Sequence, residues 1–243
     1  MINEKKNNHT LIIGGSSGIG KELAIKFAEQ ESVSVIARRL DKLDALESVN
    51  TNIFSSFGDV TSLDSLKKSI EICVENFGKV DRLIYCAGKQ VVKPHRLISN
   101  DDIDSLLDIN LKGALFASKI FLSSKISEKN AVFCAISSIA SIKPEPGIVT
   151  YSAMKAGIDA MIKGLAKESA PRRFIGIAPG WLDTEMTQSQ QVYNESFRIE
   201  LEKKSPLGLT QISDIVNAVE FLTCKEAISI TGTILVVDSG SVL

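Results

Sequence analysis

Short apolar runs alternate with longer amphipathic stretches along almost the whole chain. Residues 10–13, 33–37, 52–57, 82–85, 131–136, 174–178 and 233–237 each form a compact apolar or β-prone run, which predicts seven strands. Between them, apolar positions recur at helical spacing over 18–30, 41–49, 63–77, 101–127, 151–169 and 213–222. In the first of these, Leu23, Ile25, Phe27 and Ala28 are available for packing. Such alternation predicts an α/β fold, a parallel sheet covered by helices on both faces. Only 182–208 carries no strand pattern, and an irregular segment of that length in a compact domain predicts a lid or binding loop. No linker, low-complexity tract or internal repeat interrupts the pattern, so residues 1–243 are expected to form a single domain.

Charge and composition narrow the partners. Lysine and arginine number 28 against 29 aspartates and glutamates, a net charge of -1, so no global basic field favours nucleic acid or an anionic membrane surface. A small molecule is the expected partner. Residues 1–8 are polar and Lys-rich with no long apolar run behind them, and no stretch approaches the roughly 20 apolar residues of a membrane span. A cytoplasmic location is expected. Cys73, Cys86, Cys134 and Cys224 are scattered without a CxxC pair, which predicts small buried hydrophobes and neither a metal site nor a disulfide framework.

Candidate chemistry lies at two places. Gly14, Gly15, Ser16, Ser17, Gly18, Ile19 and Gly20 follow the first strand and open the first helix, where glycines let backbone approach a pyrophosphate and a helix N-terminus faces the anion. Alone, the loop serves a ligand-free tight turn equally well. Tyr151 and Lys155, in Tyr-Ser-Ala-Met-Lys at the start of a helical stretch, are i and i+4 neighbours on one face. A phenol titrates near ~10 and is a sluggish acid or base at neutral pH. An adjacent ammonium lowers that value and prepares Tyr151 to give a proton to a carbonyl oxygen. Ser138, just beyond the fifth strand, stands where the carboxyl end of a parallel strand opens into a ligand crevice. Together these residues predict a nucleotide-dependent redox enzyme.

The GxxxGxG spacing and the Tyr-x3-Lys pair make residues 10–240 resemble the short-chain dehydrogenase/reductase family. Length and the segments Ser-Pro-Leu-Gly and Ile-Thr-Gly-Thr-Ile-Leu-Val-Val-Asp-Ser-Gly are most like 3-oxoacyl-carrier-protein reductases. The resemblance implies a Rossmann-type, doubly wound sheet and a catalytic tetrad of Asn110, Ser138, Tyr151 and Lys155. In that scheme Ser138 holds the substrate oxygen and Tyr151 protonates it while hydride arrives from the nicotinamide. Lys155 binds the nicotinamide ribose and depresses the phenol's pKa, and Asn110 anchors a water that links Lys155 to solvent. Singly, each residue has a structural alternative: a surface Tyr-Lys pair, a capping Ser138, an Asn110 that satisfies backbone groups. Implied cofactor contacts are Gly14, Ser16, Ser17, Gly18, Ile19 and Gly20, then Asp59 and Val60 at the adenine. Cys86, Ala87 and Gly88 follow the fourth strand, and Pro179, Gly180 and Thr184 form a PGxxxT nicotinamide loop in which Leu182 meets the carboxamide.

Cofactor choice follows from charge sign. Arg38 stands where NAD-using relatives carry an aspartate, and Arg39 comes directly after. A guanidinium pair attracts a 2'-phosphate that a carboxylate would repel, so NADP(H) is the expected cofactor; two solvated surface arginines are the alternative. The chain departs from the family where Tyr85-Cys86-Ala87-Gly88 replaces Asn-Asn-Ala-Gly, Ile13 replaces a threonine and Arg173-Phe174-Ile175 replaces Arg-Val-Asn. The lost Asn amide normally pins neighbouring backbone. Pro171 is expected to end the preceding helix early.

The expected substrate is a carbonyl, a β-oxoacyl thioester or another secondary ketone, free or carrier-bound. An alcohol dehydrogenase of a specialised pathway and a nucleotide sensor without turnover are the alternatives. The substrate wall is expected after Ser138, at residues 145–150, at Trp181 and in the lid at 184–205; Trp181 stacks on substrate or merely packs. Lys129, Arg172 and Arg173 offer charge to an acidic carrier protein or are simply solvated. Leu106, Leu107, Ile109, Leu115, Phe116, Ile120 and Phe121 exceed what one sheet-facing stripe needs, and the resemblance implies pairing through this face as a homodimer or homotetramer.

Overall fold

The computed structural model describes residues 8–188 and 194–243. The polar segment at 1–7 and residues 189–193 of the expected lid lie outside the described residues. Seven parallel strands form one sheet in the order β3-β2-β1-β4-β5-β6-β7. They are β1 (His9–Ile13), β2 (Ser32–Ala37), β3 (Ile53–Phe57), β4 (Val80–Tyr85), β5 (Ser127–Ile136), β6 (Arg173–Pro179) and β7 (Ile234–Val237). Helices α1 (Gly18–Ala28), α2 (Leu40–Glu47), α3 (Leu63–Phe77), α4 (Asn100–Leu106), α5 (Gly113–Phe121), α6 (Val149–Glu168), α7 (Glu185–Gln188), α8 (Glu195–Lys204) and α9 (Ile212–Thr223) complete the described elements. No helix among the described residues is long and apolar enough to cross a membrane.

The strands read as unbroken apolar runs because both sheet faces are buried. Side chains alternate between two cores: Leu11 and Ile13 join Leu83, Phe133 and Phe174 on one face, while Ile12 joins Ile84, Cys134 and Ile175 on the other. In the first core, Phe133 stacks on Phe174 at 5.4 Å between ring centroids, and Phe121 of α5 meets both edge-on. The chain starts in mid-sheet, moves outward to β3 and returns to place β4 beside β1. At that reversal the connections after β1 and β4 leave in opposite directions, which opens a crevice at the carboxyl edge.

The helix expected over 101–127 is three pieces. α4 gives way to a π-helical turn, Leu107–Lys112, and α5 stops at Phe121, so Ser127 belongs to β5. In the π turn the Gly113 N–H donates to Asp108 O and bypasses the Ile109 carbonyl, which accepts the Tyr85 phenol at 2.6 Å. Gly113 is required there, because a Cβ would collide with Tyr85 Oη. Tyr85 therefore supplies its own pin where the sequence lacks the familiar Asn amide. Of the surplus apolar residues on this stretch, Leu106, Ile120 and Phe121 are buried in the subunit's own core, and Leu107 and Leu115 remain exposed. The segment 182–208 has no strand among its described residues and carries α7 and α8. α6 ends at Glu168, ahead of Pro171.

Tyr85→Phe removes the hydroxyl partner of the Ile109 carbonyl. It is expected to lower the unfolding free energy by about 1–3 kcal/mol in urea denaturation. Wild-type stability in that variant would mean that the phenol does not hold the turn.

Candidate active site

The carboxyl ends of the central strands open into one cavity of about 930 Å³. Its wall takes in every residue singled out from the sequence for cofactor or catalysis except Gly15, Asp59 and Asn110. The Asp59 carboxylate is used locally: Oδ1 accepts the Thr61 N–H and hydroxyl, both at 2.9 Å, in a turn leading into α3. Its neighbours Gly58 and Val60 reach the wall instead.

The end of the cavity beside the glycine loop is built from backbone. A Cβ on Gly14, whose φ is +88°, would lie 2.5 Å from Ala87 N, so the loops after β1 and β4 touch only because a glycine stands there. The same turn sends α1 away from the cavity with its N-terminus on the wall. Ser17, the N-cap, makes no side-chain capping bond, and the first turn of α1 carries no acidic residue. Exposed N–H groups, a positive helix end and no competing carboxylate on that turn fit a pyrophosphate. Arg38 lines the cavity and makes no hydrogen bond or ion pair among the described residues. Arg39 instead reaches Ser16, Ser17 and Glu185.

The other end is built on α6. Tyr151, Lys155 and Asp159 succeed one another on one face of this helix. Tyr151 is 8% exposed and packs with Leu106 and Ala140. Ser138 opens a short 3-10 turn, its hydroxyl accepting the Ala140 N–H at 3.1 Å, and it stands near enough to the Tyr151 phenol to favour its ionised form. The capping role and the position beside the phenol coexist in one side chain. Lys155 Nζ donates to the Ile136 carbonyl at 2.9 Å and lies 5.5 Å from the Tyr151 ring centroid.

These surroundings reverse one expectation. Burial pushes the Tyr151 phenol up to about 12, with Ser138 pulling the other way, whereas the sequence reading had the ammonium lowering it. Burial also pushes Lys155 down to about 8, opposed by Cys86 and Asp159. The ammonium lies over the ring face and is bonded to a carbonyl, so desolvation decides the sign for the phenol.

Asn110 sits in the π turn behind the wall. Its Nδ2 donates to the Lys89 and Leu106 carbonyls at 2.9 and 3.0 Å, and Oδ1 accepts the Lys89 N–H at 3.2 Å. Of the two readings of this residue, this geometry carries the backbone-satisfying one. It still stands close to the ammonium: a Cβ on Gly88 would lie 3.2 Å from Asn110 Oδ1 and 3.7 Å from Lys155 Nζ.

Sequence reasoning missed Ser137 and Asp159. Ser137 Oγ donates to Asp159 Oδ1 at 2.5 Å, tying α6 to the end of β5, and the i, i+4 step from Lys155 was the available signal. It also missed Glu185, whose contact with Arg39 spans 146 residues and leaves no local trace. Trp181 meets Phe197 of α8 edge-on at 4.9 Å, and both line the cavity. The basic residues proposed for a carrier lie at the wrong edge. Lys129, Arg172 and Arg173 sit at the amino ends of β5 and β6, opposite the cavity. Arg173 is buried there, donating to the Leu222, Ala227, Ile230 and Cys224 carbonyls, and Arg172 Nε donates to Ser127 Oγ at 2.9 Å. Cys73 and Cys134 are buried as expected, but Cys86 is half-buried on the cavity wall and Cys224 is partly exposed.

The short chain dehydrogenase family model matches residues 8–194. The 3-oxoacyl-[acyl-carrier-protein] reductase FabG of Thermotoga maritima is 32% identical over 96% of this chain and 97% of its own. Gluconate 5-dehydrogenase of Gluconobacter oxydans is 30% identical over 95% of this chain and 93% of its own. Among solved structures, a glucose/ribitol dehydrogenase of the same family from Brucella melitensis superposes with a TM-score of 0.91 at 26% identity, covering 99% of both chains. The chain therefore belongs to the short-chain dehydrogenase family, oxidoreductases that work with a nicotinamide cofactor.

Proposed function

We propose that the protein is an NADPH-dependent ketoreductase in which Tyr151 is the proton donor. The observation that carries this reading is a buried phenol, held protonated up to about pH 12, that lines the cavity with Ser138 and has an ammonium over its ring. Ser138 Oγ–H holds the ketone oxygen against the phenol. When bound, the dihydronicotinamide supplies the hydride to the carbonyl carbon. The alkoxide that develops is a far stronger base than phenolate, so Tyr151 Oη–H passes its proton to that oxygen. Lys155 steadies the resulting phenolate and holds the nicotinamide ribose, while Asn110 fixes the backbone beside it. Arg38 supplies the charge for a 2'-phosphate.

Two relatives bracket the substrate, one named for an oxoacyl thioester and one for a sugar acid. The wall beyond Ser138 favours the former, because Ile139, Ile148, Trp181, Met186, Phe197 and Leu201 suit an acyl chain better than a polyol. Leu107 and Leu115 give a second copy an apolar face to cover.

Tyr151→Phe is expected to lower ketone reduction by about 10²–10⁴-fold in an NADPH absorbance assay with acetoacetyl thioesters, with NADPH affinity kept within a few-fold. Near wild-type turnover would remove Tyr151 as the acid. Arg38→Asp is expected to weaken NADPH by at least about tenfold in fluorescence titration and to leave NADH level or tighter. Equal loss of both cofactors would return Arg38 to plain surface charge.

The pH dependence follows from Lys155. Burial sets the ammonium at about 8, so the charged form that binds the ribose prevails below that pH and is lost as pH rises through it. For NADPH, kcat/KM, which reports the free enzyme, is expected to hold near neutrality and to fall above about pH 8. Lys155→Ala should lose both the affinity and the slope. A wild-type profile flat through about pH 9 would show that this charge is not used.

A further inference from the structure

Arg38 and Arg39 look equivalent in the sequence and are unequal in the fold. Arg38 makes no hydrogen bond or ion pair among the described residues, whereas all three nitrogens of the Arg39 guanidinium donate to partners. Arg39 Nε and Nη2 donate to Ser16 Oγ at 3.3 and 3.1 Å, Nη2 donates to Ser17 Oγ at 2.6 Å, and Nη1 donates to Glu185 Oε2 at 2.9 Å. Glu185 opens α7 in the lid, and its second oxygen lies 3.9 Å from Lys42 Nζ. Arg39, Ser16, Ser17 and Glu185 all line the cavity. The pair is half exposed, at 44% for Arg39 and 54% for Glu185, so it is exchangeable and weak in water. The arginine holds the Glu185 carboxyl below the usual range, and the carboxylate is charged throughout the neutral region.

A carboxylate and a phosphate ask the same thing of a guanidinium, parallel N–H donors and a positive charge. A 2'-phosphate that engages Arg39 as well as Arg38 must displace Glu185 or share the cation with it, and two anions on one cation repel. A cofactor with only ribose hydroxyls at that position cannot displace a carboxylate, so it leaves the pair as it is. We propose that Glu185 is a specificity-determining residue, an internal anion that competes with the 2'-phosphate for Arg39 and thereby limits the preference for NADPH over NADH.

This inference rests on the NADPH reading, and the test separates the two. Affinities for NADPH, NADH, adenosine 2',5'-bisphosphate and 5'-AMP are measured by calorimetry on the intact protein, without turnover. Glu185→Gln, which keeps shape and removes charge, is expected to tighten NADPH and the bisphosphate about three- to tenfold and to change NADH and 5'-AMP less than about twofold. Placed on Arg39→Ala, the same change should give no such gain. Equal gains for all four ligands, no gain, or a weaker NADPH complex would overturn the proposal. So would a gain that survives in Arg39→Ala, because the carboxylate would then act on the phosphate through space and not through the arginine. A wild-type protein that binds NADPH no tighter than NADH would overturn the NADPH reading instead, and a selective gain in Glu185→Gln would still stand.

Discussion

Everything functional in this molecule hangs on the place where two backbones touch without a side chain between them. β1 and β4 are neighbours in space but not in sequence, and the chain leaves their carboxyl ends in opposite directions. Gly14 and Ala87 close the gap between those departures at a distance no Cβ would tolerate. The consequence is geometric. α1 leaves with its uncapped N-terminus on one side of the contact, and the segment after β4 leaves with Gly88 beside Asn110 and Lys155 on the other. Polar backbone is thus concentrated at one edge of an otherwise apolar sheet. The opposite edge is spent on stability, with Arg173 satisfying four carbonyls around the end of α9.

At the other end of the cavity, desolvation sets the chemistry. A phenol and an ammonium taken from water each move toward their neutral forms, so Tyr151 keeps its proton and Lys155 tends to lose one. Under the proposed reading, in which the phenol gives a proton to an alkoxide, retention at neutral pH is the useful direction. The polar groups around the pair are held by others in turn: Ser137 grips Asp159, Asn110 grips Lys89, and Tyr85 holds the π turn that carries Asn110.

Much of this was legible in the sequence because the physics is local. Strands buried on both faces must be apolar throughout, and all seven are visible as runs. Tyr151 and Lys155 share a face by helical spacing alone. What escaped was whatever depends on contacts or burial. The π turn at Leu107–Lys112 preserves apolar spacing, so 101–127 read as one helix. The turn in which Asp59 accepts from Thr61 also left no periodic signal, since it is made by a local side-chain bond. The direction of the Tyr151 shift depends on how deeply the ring lies, and Lys129, Arg172 and Arg173 could be assigned to an edge only once the strands had a common direction.

Trp181 is the only tryptophan in the chain. It stands between the strand-end loop after β6 and α8, with its indole against Phe197 and on the cavity wall. The molecule therefore carries a single indole at the joint between its sheet and the segment that carries α7 and α8. Its emission comes from one place, so a change in colour or quenching has one spatial origin. The position of α8 against the indole becomes an optical quantity that needs no label.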